Sequence, residues 1–350
     1  MKLYKNLYPK IHDWNNLYLA YTRARKGKRN RPTAATFEYH QETYLIELQK
    51  ELQNKNYQPG PYHSFYIHEP KRRLISAAPF RDRIVHHALC NIIEPIFERS
   101  FIHDSYANRV GKGTHRALDR AQKYARRYRY LLQCDLQQFF PSIDHQILYT
   151  LLAKKIIDPD TLWLIQKILD SGAGVLSDQY EMRWFPNDDL FALSRPRGLP
   201  IGNLTSQFWA NCYLNPFDHF VKRELKCRAY VRYVDDFLLF ADNKQTLWQW
   251  HKALTHYLAT LRLTIYPHAH PRPVTEGFPF LGFVIYPTHR RLKRRKVVHA
   301  RRRLRQRVAA FREGELTLDQ LDASVQGWIN HVRYADSWGL RKAMLREVIL

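Results

Sequence analysis

At 350 residues, with a formal net charge of +24 and a pI of about 9.9, the chain can bury a large core in two or three subdomains, and it calls for a polyanionic partner whose binding weakens as salt rises. No apolar run approaches the roughly 18 residues of a membrane span, no basic amphipathic helix stands apart, and the first residues, Met1 to Asn6, lack an apolar signal core, so membrane and export classes are set aside. Cys90, Cys134, Cys212 and Cys227 are widely spaced with no Cys-x-x-Cys, which argues against a zinc site and fits buried thiols in a reducing cytosol.

Residues 1–60 read as helical and basic. Six cations fall between Arg23 and Arg31, ahead of Pro32, as a solvated loop or a phosphate contact. Between Phe37 and Leu52, Tyr44, Leu45, Leu48 and Leu52 recur at helical spacing. The period then changes. Tyr62 to Pro70 reads as a strand, Lys71-Arg72-Arg73 as a turn and Leu74 to Ala78 as a second strand, so three cations sit at a hairpin tip where a triphosphate or template phosphate is in reach. Pro79 to Arg83 opens a helix with Ile84, Val85, Ala88, Leu89, Ile92 and Ile93 along one face, and its His86-His87 pair lacks a metal-ligand pattern. Asn108 to Thr114 is glycine-rich and basic but lacks the full Gly-x-x-x-x-Gly-Lys-Ser/Thr pattern, so a nucleotide-hydrolysing P-loop is rejected. A basic helix from His115 to Arg129 follows.

Tyr130 begins an apolar strand that ends in Asp135, with Phe140 five residues on. A ring near the sugar of an incoming nucleotide would clash with a 2′-hydroxyl; otherwise Phe140 is core. Pro141 to about Leu169 reads as helical and 170–195 as an irregular insert. In the stretch Arg197 to Gln207, Gly198 and Gly202 would let backbone approach a ligand, Thr205 or Ser206 would cap the next helix, and Pro216 would kink it. Taken alone, that stretch is also an ordinary loop-to-helix junction.

The centre of the chain is Val231 to Phe240, a hairpin of β-branched, aromatic and aliphatic residues around Asp235-Asp236. Two aspartates in a turn have an ordinary reading, since Asp favours turns. Asp135 changes it. Adjacent carboxylates repel, a divalent cation removes the repulsion, and oxygen ligands suit magnesium. Two strand ends side by side can hold two metal ions about 4 Å apart, and phosphoryl transfer there needs no protein nucleophile.

Beyond the hairpin, Lys244 to Leu261 reads as an amphipathic helix, Arg262 to Tyr266 as a strand and Phe278 to Tyr286 as a short hairpin. The order from Tyr130 suggests an α+β fold with a split βαβ layout, an antiparallel sheet backed by helices. From Arg290 to Arg307, eleven of eighteen residues are Lys or Arg and none is acidic, which points to phosphate. Thr317 to Gln320 fits a capping box, and Leu318, Leu321, Val325, Ile329 and Val332 then follow helical spacing. Trp328, Tyr334 and Trp338 are expected to pack rather than stack on a base.

Five blocks in this order resemble reverse transcriptases of bacterial and phage type over nearly the whole chain. They are Pro70-Lys-Arg-Arg-Leu-Ile75, Cys134-Asp-Leu-Gln-Gln-Phe-Phe-Pro-Ser-Ile143, Gly198-Leu-Pro-Ile-Gly-Asn-Leu-Thr-Ser-Gln207, Tyr233-Val-Asp-Asp236 and Phe280-Leu-Gly-Phe283. The resemblance implies a right-hand polymerase: fingers at 1–129 with an insert at about 145–196, a palm at 130–288 and a helical thumb at 289–350. It makes Asp135, Asp235 and Asp236 the catalytic carboxylates, holding two Mg2+ ions with Leu136, Mn2+ being able to substitute. It makes Phe140 the sugar gate and puts Lys71, Arg72, Arg73, Ile201, Gly202 and Gln207 on the nucleotide. Arg197, Arg291, Lys293, Arg294, Arg295, Lys296, Arg301 and Arg302 would contact nucleic acid. The implied partners are template RNA, a cDNA or primer strand and dNTPs, in a cytoplasmic, bacterial or phage-encoded nucleotidyltransferase with no membrane partner.

Most such enzymes carry Gln-Gly and then Ser-Pro in the glycine block, where this chain has Ile201-Gly202 and Ser206-Gln207. That variant resembles the reverse transcriptases of diversity-generating retroelements, which copy a template-repeat RNA, misincorporate opposite adenines and act with a small oligomeric accessory variability protein. An aliphatic side chain in place of an amide loses a hydrogen bond that helps place the nucleotide, so discrimination should fall. Group II intron proteins usually extend into maturase and endonuclease regions, and retron enzymes carry a Val-Thr-Gly stretch that is absent around Lys296-Val-Val-His299. A silent RNA-binding scaffold is disfavoured by the three carboxylates, an RNA polymerase by Phe140.

Overall fold

The computed structural model describes residues 2–28, 31–68, 72–186 and 188–349, with side chains through Arg346. Lys71, expected on the nucleotide, lies outside them. The chain is a mixed α+β fold whose sheets are all antiparallel.

The N-terminal part is helical: α1 (Tyr8–Ile11), α2 (Trp14–Arg25), α3 (Pro32–Tyr39) and α4 (Gln41–Gln53). The helical periodicity around Tyr44 starts only at Gln41, because non-helical His40 separates α3 from α4. The expected cationic hairpin forms as β1 (His63–Ile67) and β2 (Arg73–Ala77), paired from His63↔Ala77 to Ile67↔Arg73. Two longer helices follow, α5 (Phe80–Glu98) and α6 (Thr114–Arg127).

The main sheet is built from β3 (Tyr130–Asp135), β4 (Tyr230–Tyr233), β5 (Asp236–Ala241) and β6 (Pro271–Pro273), in the order β4-β5-β3-β6. It is buried on both faces, which is why Phe237 to Ala241 is continuously apolar rather than alternating. Leu132, Cys134, Phe237 and Leu239 face the large helical core, whereas Leu131, Leu238 and Phe240 face a second core. That second core includes a smaller sheet of β7 (Phe278–Phe280), β8 (Phe283–Ile285) and β9 (Arg290–Leu292). All four cysteines are free and buried.

Between β3 and β4 the single expected helical stretch is three helices: α7 (Phe139–Ser142), α8 (His145–Ala153) and α9 (Pro159–Gly172). Asp144 caps α8 through Ile147 N, and Asp158 caps α9 with Pro159 at its first position, so each restart has a local cause. Among its described residues the insert after α9 carries only short 3-10 turns. Helix α10 (Leu204–His219) runs through Pro216 into a π turn at Phe220–Glu224. Its cap position is Asn203, not Thr205 or Ser206, and both of those are buried within the helix. Asn203 makes no side-chain cap bond; its amide is spent on tertiary contacts instead.

Helix α11 (Lys244–Thr260) forms where expected, but Arg262 to Tyr266 is not a strand. It meets the chain at the end of β3 through the isolated bridge Leu136↔Ile265, with Tyr266 N donating to Asp135 O at 3.0 Å and Gln137 N to Thr264 O at 2.8 Å, while β6 pairs with the start of β3 at Tyr130 to Leu132. The basic tail supplies the unexpected strand β9 and then α12 (Arg294–Arg312), α13 (Leu318–Val332) and α14 (Trp338–Ile349). Charge hid β9 in the sequence: Arg290 is buried with its guanidinium on Asp119 at 2.6 Å. The capping box at Thr317 and Gln320 is present. Trp328 packs in the small core of these helices, and Tyr334 stacks on His115 with ring centroids 3.6 Å apart, but Trp338 is 71% exposed, against expectation. Among the described residues no helix is long and apolar enough to cross a membrane.

Candidate active site

Register, not sequence proximity, makes this site. In the β3–β5 ladder Asp135 lies directly opposite Asp236, so the two carboxylates leave the sheet on the same face. That face belongs to the second core, and the site is where the apolar packing runs out. A cavity of about 270 Å³ opens there, lined by Gln133, Asp135, Asp236, Tyr266, His268, His270, Arg272 and Pro279. Asp235 occupies the turn between β4 and β5, and its carbonyl accepts from Leu136 N at 3.3 Å. Leu136 itself is buried.

Burial, then the nearby Asp135 and, more weakly, Asp235, push the Asp236 carboxyl up to about 7, against a hydrogen bond from Gln133 and the positive charge of Lys293. At Asp236, burial and like charge outweigh the positive charge nearby. Among the described residues no three His, Cys, Asp or Glu side chains stand together so as to hold an ion by themselves. Magnesium does not require that: it is commonly bound through one or two carboxylates, with waters and substrate phosphates completing the shell. The oxygen-only pair Asp135 and Asp236, with Asp235 close enough to be felt, fits that mode.

The turn itself is strained. Val234 has φ +58°, a left-handed conformation that costs a β-branched residue about 1–3 kcal/mol.

The glycine block forms one wall with the cationic hairpin. Ser76 N of β2 donates to Ile201 O at 2.8 Å, and the Asn203 side chain takes Ala78 N and reaches Ser76 O. Gly202 makes room for β2: a Cβ there would lie 3.0 Å from Ile75 Cγ2, and its φ is +119°. Gln207 is exposed and Ile201 half-buried. Phe140 is half-buried against the ring of Phe139, and its carbonyl accepts from Leu199 N at 2.9 Å, tying it to the glycine block.

Arg72 lies over the Tyr66 ring at 4.1 Å, and Arg73 is exposed on β2. Arg197 is directed into the insert: its guanidinium donates to the carbonyls of Ala192 and Leu193 and lies over Tyr180. On the tail, Arg291, Arg294, Arg295, Lys296 and Arg302 are exposed and Arg301 is half-buried. Lys293, half-buried at the start of α12, is the one near enough to Asp236 to affect its ionisation.

Residues 63–285 match the family model described as "Reverse transcriptase (RNA-dependent DNA polymerase)". The chain belongs to the reverse transcriptase family. Its reverse transcriptase domain supports RNA-directed DNA polymerase activity. Among curated relatives, Protein YkfC of Escherichia coli is 25% identical over 290 residues, 71% of either chain. The group II intron-encoded protein LtrA of Lactococcus lactis is 29% identical over 184 residues, 51% of this chain and 28% of LtrA. The putative COX1/OXI3 intron 2 protein of Saccharomyces cerevisiae is 23% identical over 223 residues, 62% of this chain and 24% of that protein. The chain therefore spans well under half of the two intron proteins.

In this reverse transcriptase the residue that sequence reasoning passed over is Gln133. Two positions before Asp135, it faces the same side of β3. Its Nε2 donates to Pro279 O at 2.8 Å and more distantly to Asp236 Oδ1 at 3.4 Å, while its Oε1 accepts from Arg272 at 2.7 Å. One amide thus ties β6, β7 and the carboxylate strand together. The period-two offset from Asp135 was the available signal.

A pH effect follows from Asp236. A cation that binds there displaces a proton below about pH 7, so the half-saturating Mg2+ concentration for primer extension falls as pH rises toward about 7 and then levels. Below that point the slope is up to roughly tenfold per pH unit for one proton released. A Mg2+ titration repeated across pH checks it; a flat dependence would remove Asp236 from the cation site.

Proposed function

We propose that this chain copies RNA into DNA at a site where Asp135, Asp235 and Asp236 hold two Mg2+ ions, with Mn2+ able to substitute. The observation that carries it is the pairing of Asp135 with Asp236 across β3–β5 at a cavity where burial and the neighbouring carboxylates outweigh the positive charge of Lys293 on Asp236. When bound, the ions supply the charge that activates a primer 3′-hydroxyl and holds a triphosphate. The chain's own residues orient and select. Asp135 and Asp236 fix the cation side, and Phe140 excludes a 2′-hydroxyl. Lys71, Arg72 and Arg73 contact the triphosphate, and Ile201, Gly202 and Gln207 line the nucleotide wall. Arg291, Lys293, Arg294, Arg295, Lys296, Arg301 and Arg302 follow the duplex backbone. In this reading the fingers are 1–129 with the insert at about 145–196, the palm 130–288 and the thumb 289–350. Primer extension on an RNA template with dNTPs and Mg2+ tests the whole; no templated incorporation would overturn it.

The finer reading is a retroelement enzyme that diversifies sequence, copying a template-repeat RNA with errors at adenines and acting with a small oligomeric accessory protein. Ile201 in place of an amide supports it. A second reading, a group II intron-like enzyme, is favoured by relatives whose names place them in introns. Ile201→Gln separates them. The retroelement reading expects errors opposite template adenines to fall several-fold, read by sequencing the cDNA; equal error spectra favour the intron-like reading.

A further inference from the structure

Arg232 and Asp218 have no exposed surface, yet the chemistry above uses neither. A buried ion pair is a poor way to gain stability, since apolar residues of similar volume commonly do as well. The contacts point to another use. Arg232 Nε and Nη2 donate to the two Asp218 oxygens at 2.8 and 2.6 Å. Nη1 turns the other way, to Asn211 Oδ1 at 3.2 Å and to the carbonyl of Val234 at 2.9 Å. Only a planar fork with donors on two edges can grip a carboxylate and a turn carbonyl at once.

Val234 is the left-handed residue of the carboxylate turn. Arg232 pairs with Phe237 and so lies under the sheet, on the face opposite Asp236, and reaches the site only through backbone. The turn is pinned at two successive carbonyls: Val234 O by Arg232 from below, and Asp235 O by Leu136 N, the residue just after β3.

The anchor is itself anchored. Tyr230 donates to Asp218 at 2.8 Å, Asn211 Nδ2 donates to Ala107 O at 2.9 Å, and the Arg232 backbone pairs with Asp104 and Tyr106. Asn211 and Asp218 lie two turns apart on one face of α10, the helix whose Asn203 holds β2 at its start. One helix thus supports both the nucleotide wall and the carboxylate turn.

We propose that Arg232 is a positioning residue for polymerisation: its guanidinium, braced by Asp218 and Asn211, holds Val234 left-handed and thereby sets how Asp235 and Asp236 are presented toward Asp135. This rests on the assignment of those three aspartates as the cation-holding carboxylates.

The test is primer extension titrated separately with Mg2+ and with dNTP, alongside thermal unfolding. Arg232→Lys keeps a cation beside Asp218 but cannot also reach Val234 O. The apolar pair Arg232→Met with Asp218→Leu leaves no orphan charge. In whichever of them folds, the half-saturating Mg2+ rises at least tenfold while the dNTP KM moves less than threefold. Adding Val234→Gly recovers part of that loss, because glycine takes a positive φ without help. A folded variant with the wild-type Mg2+ titration overturns the proposal. So does a Mg2+ defect that Val234→Gly leaves unchanged, since Arg232 would then not act through the turn. Asp235→Asn serves as the control: full extension by that variant would overturn the carboxylate assignment itself, whereas its loss together with a normal Arg232→Lys would overturn the positioning role alone.

Discussion

Asp235→Asn lowers templated primer extension about a thousandfold, equivalent to about 4 kcal/mol of barrier, while the protein remains folded. The sign of the stability change separates a catalytic from a structural role. Asp235 is one of the like charges that raise the Asp236 carboxyl, so removing it relieves repulsion, and the variant unfolds at the same temperature or slightly higher without metal. Mg2+ then stabilises the variant less than it stabilises wild type, because a cation ligand has gone. Asp135→Asn behaves in the same way, since Asp135 acts on Asp236 more strongly than Asp235 does and faces it across the ladder. Extension within a few-fold of wild type by either variant would refute the proposed two-metal site; loss of folding would make the carboxylates structural.

Phe140→Ala admits ribonucleotides. The ring is held at the wall between the carboxylate strand and the glycine block, half-buried beside Phe139, and its carbonyl is fixed by Leu199 N. Those backbone ties survive truncation, so the substitution opens space at the sugar without moving the wall. Discrimination that relies on a steric clash with one hydroxyl is worth about 10- to 100-fold, and the ratio of kcat/KM for dNTP over rNTP should fall by that factor. Because the ring is only half-buried, stability falls by about 2 kcal/mol or less, below the range for a fully buried Phe→Ala change. An unchanged ratio with that stability loss would make Phe140 a packing residue.

Much of the frame was legible locally. Helix α5 announced itself through Pro79 and the repeating Ile84, Val85, Ala88 and Leu89, and α13 through its capping box. Strands β4 and β5 followed from a β-branched and aromatic run around two aspartates. Strand β9 was hidden because burying Arg290 depends on Asp119, far away in sequence. The strand expected at Arg262 to Tyr266 is reduced to a single bridge, because its pairing begins only where β3 ends, at Asp135 to Gln137, while β6 pairs with the start of β3.

The sequence by itself determined the residue types of the candidate site: three aspartates at strand ends, a phenylalanine beyond the first, and a glycine block before a helix. Such features depend on neighbours within a few positions, where side-chain period and turn chemistry act. Tertiary structure alone decided that Asp135 faces Asp236 and not a neighbour, since a one-residue slip in the ladder would send the carboxylate to the other face. It also decided that Gly202 packs closely against Ile75, that Arg197 is spent inside the insert, and that Gln133 and Arg232 hold the site from either side of the sheet. Those contacts join segments up to 146 residues apart, and their geometry exists only once the sheet has its register and both its faces are covered.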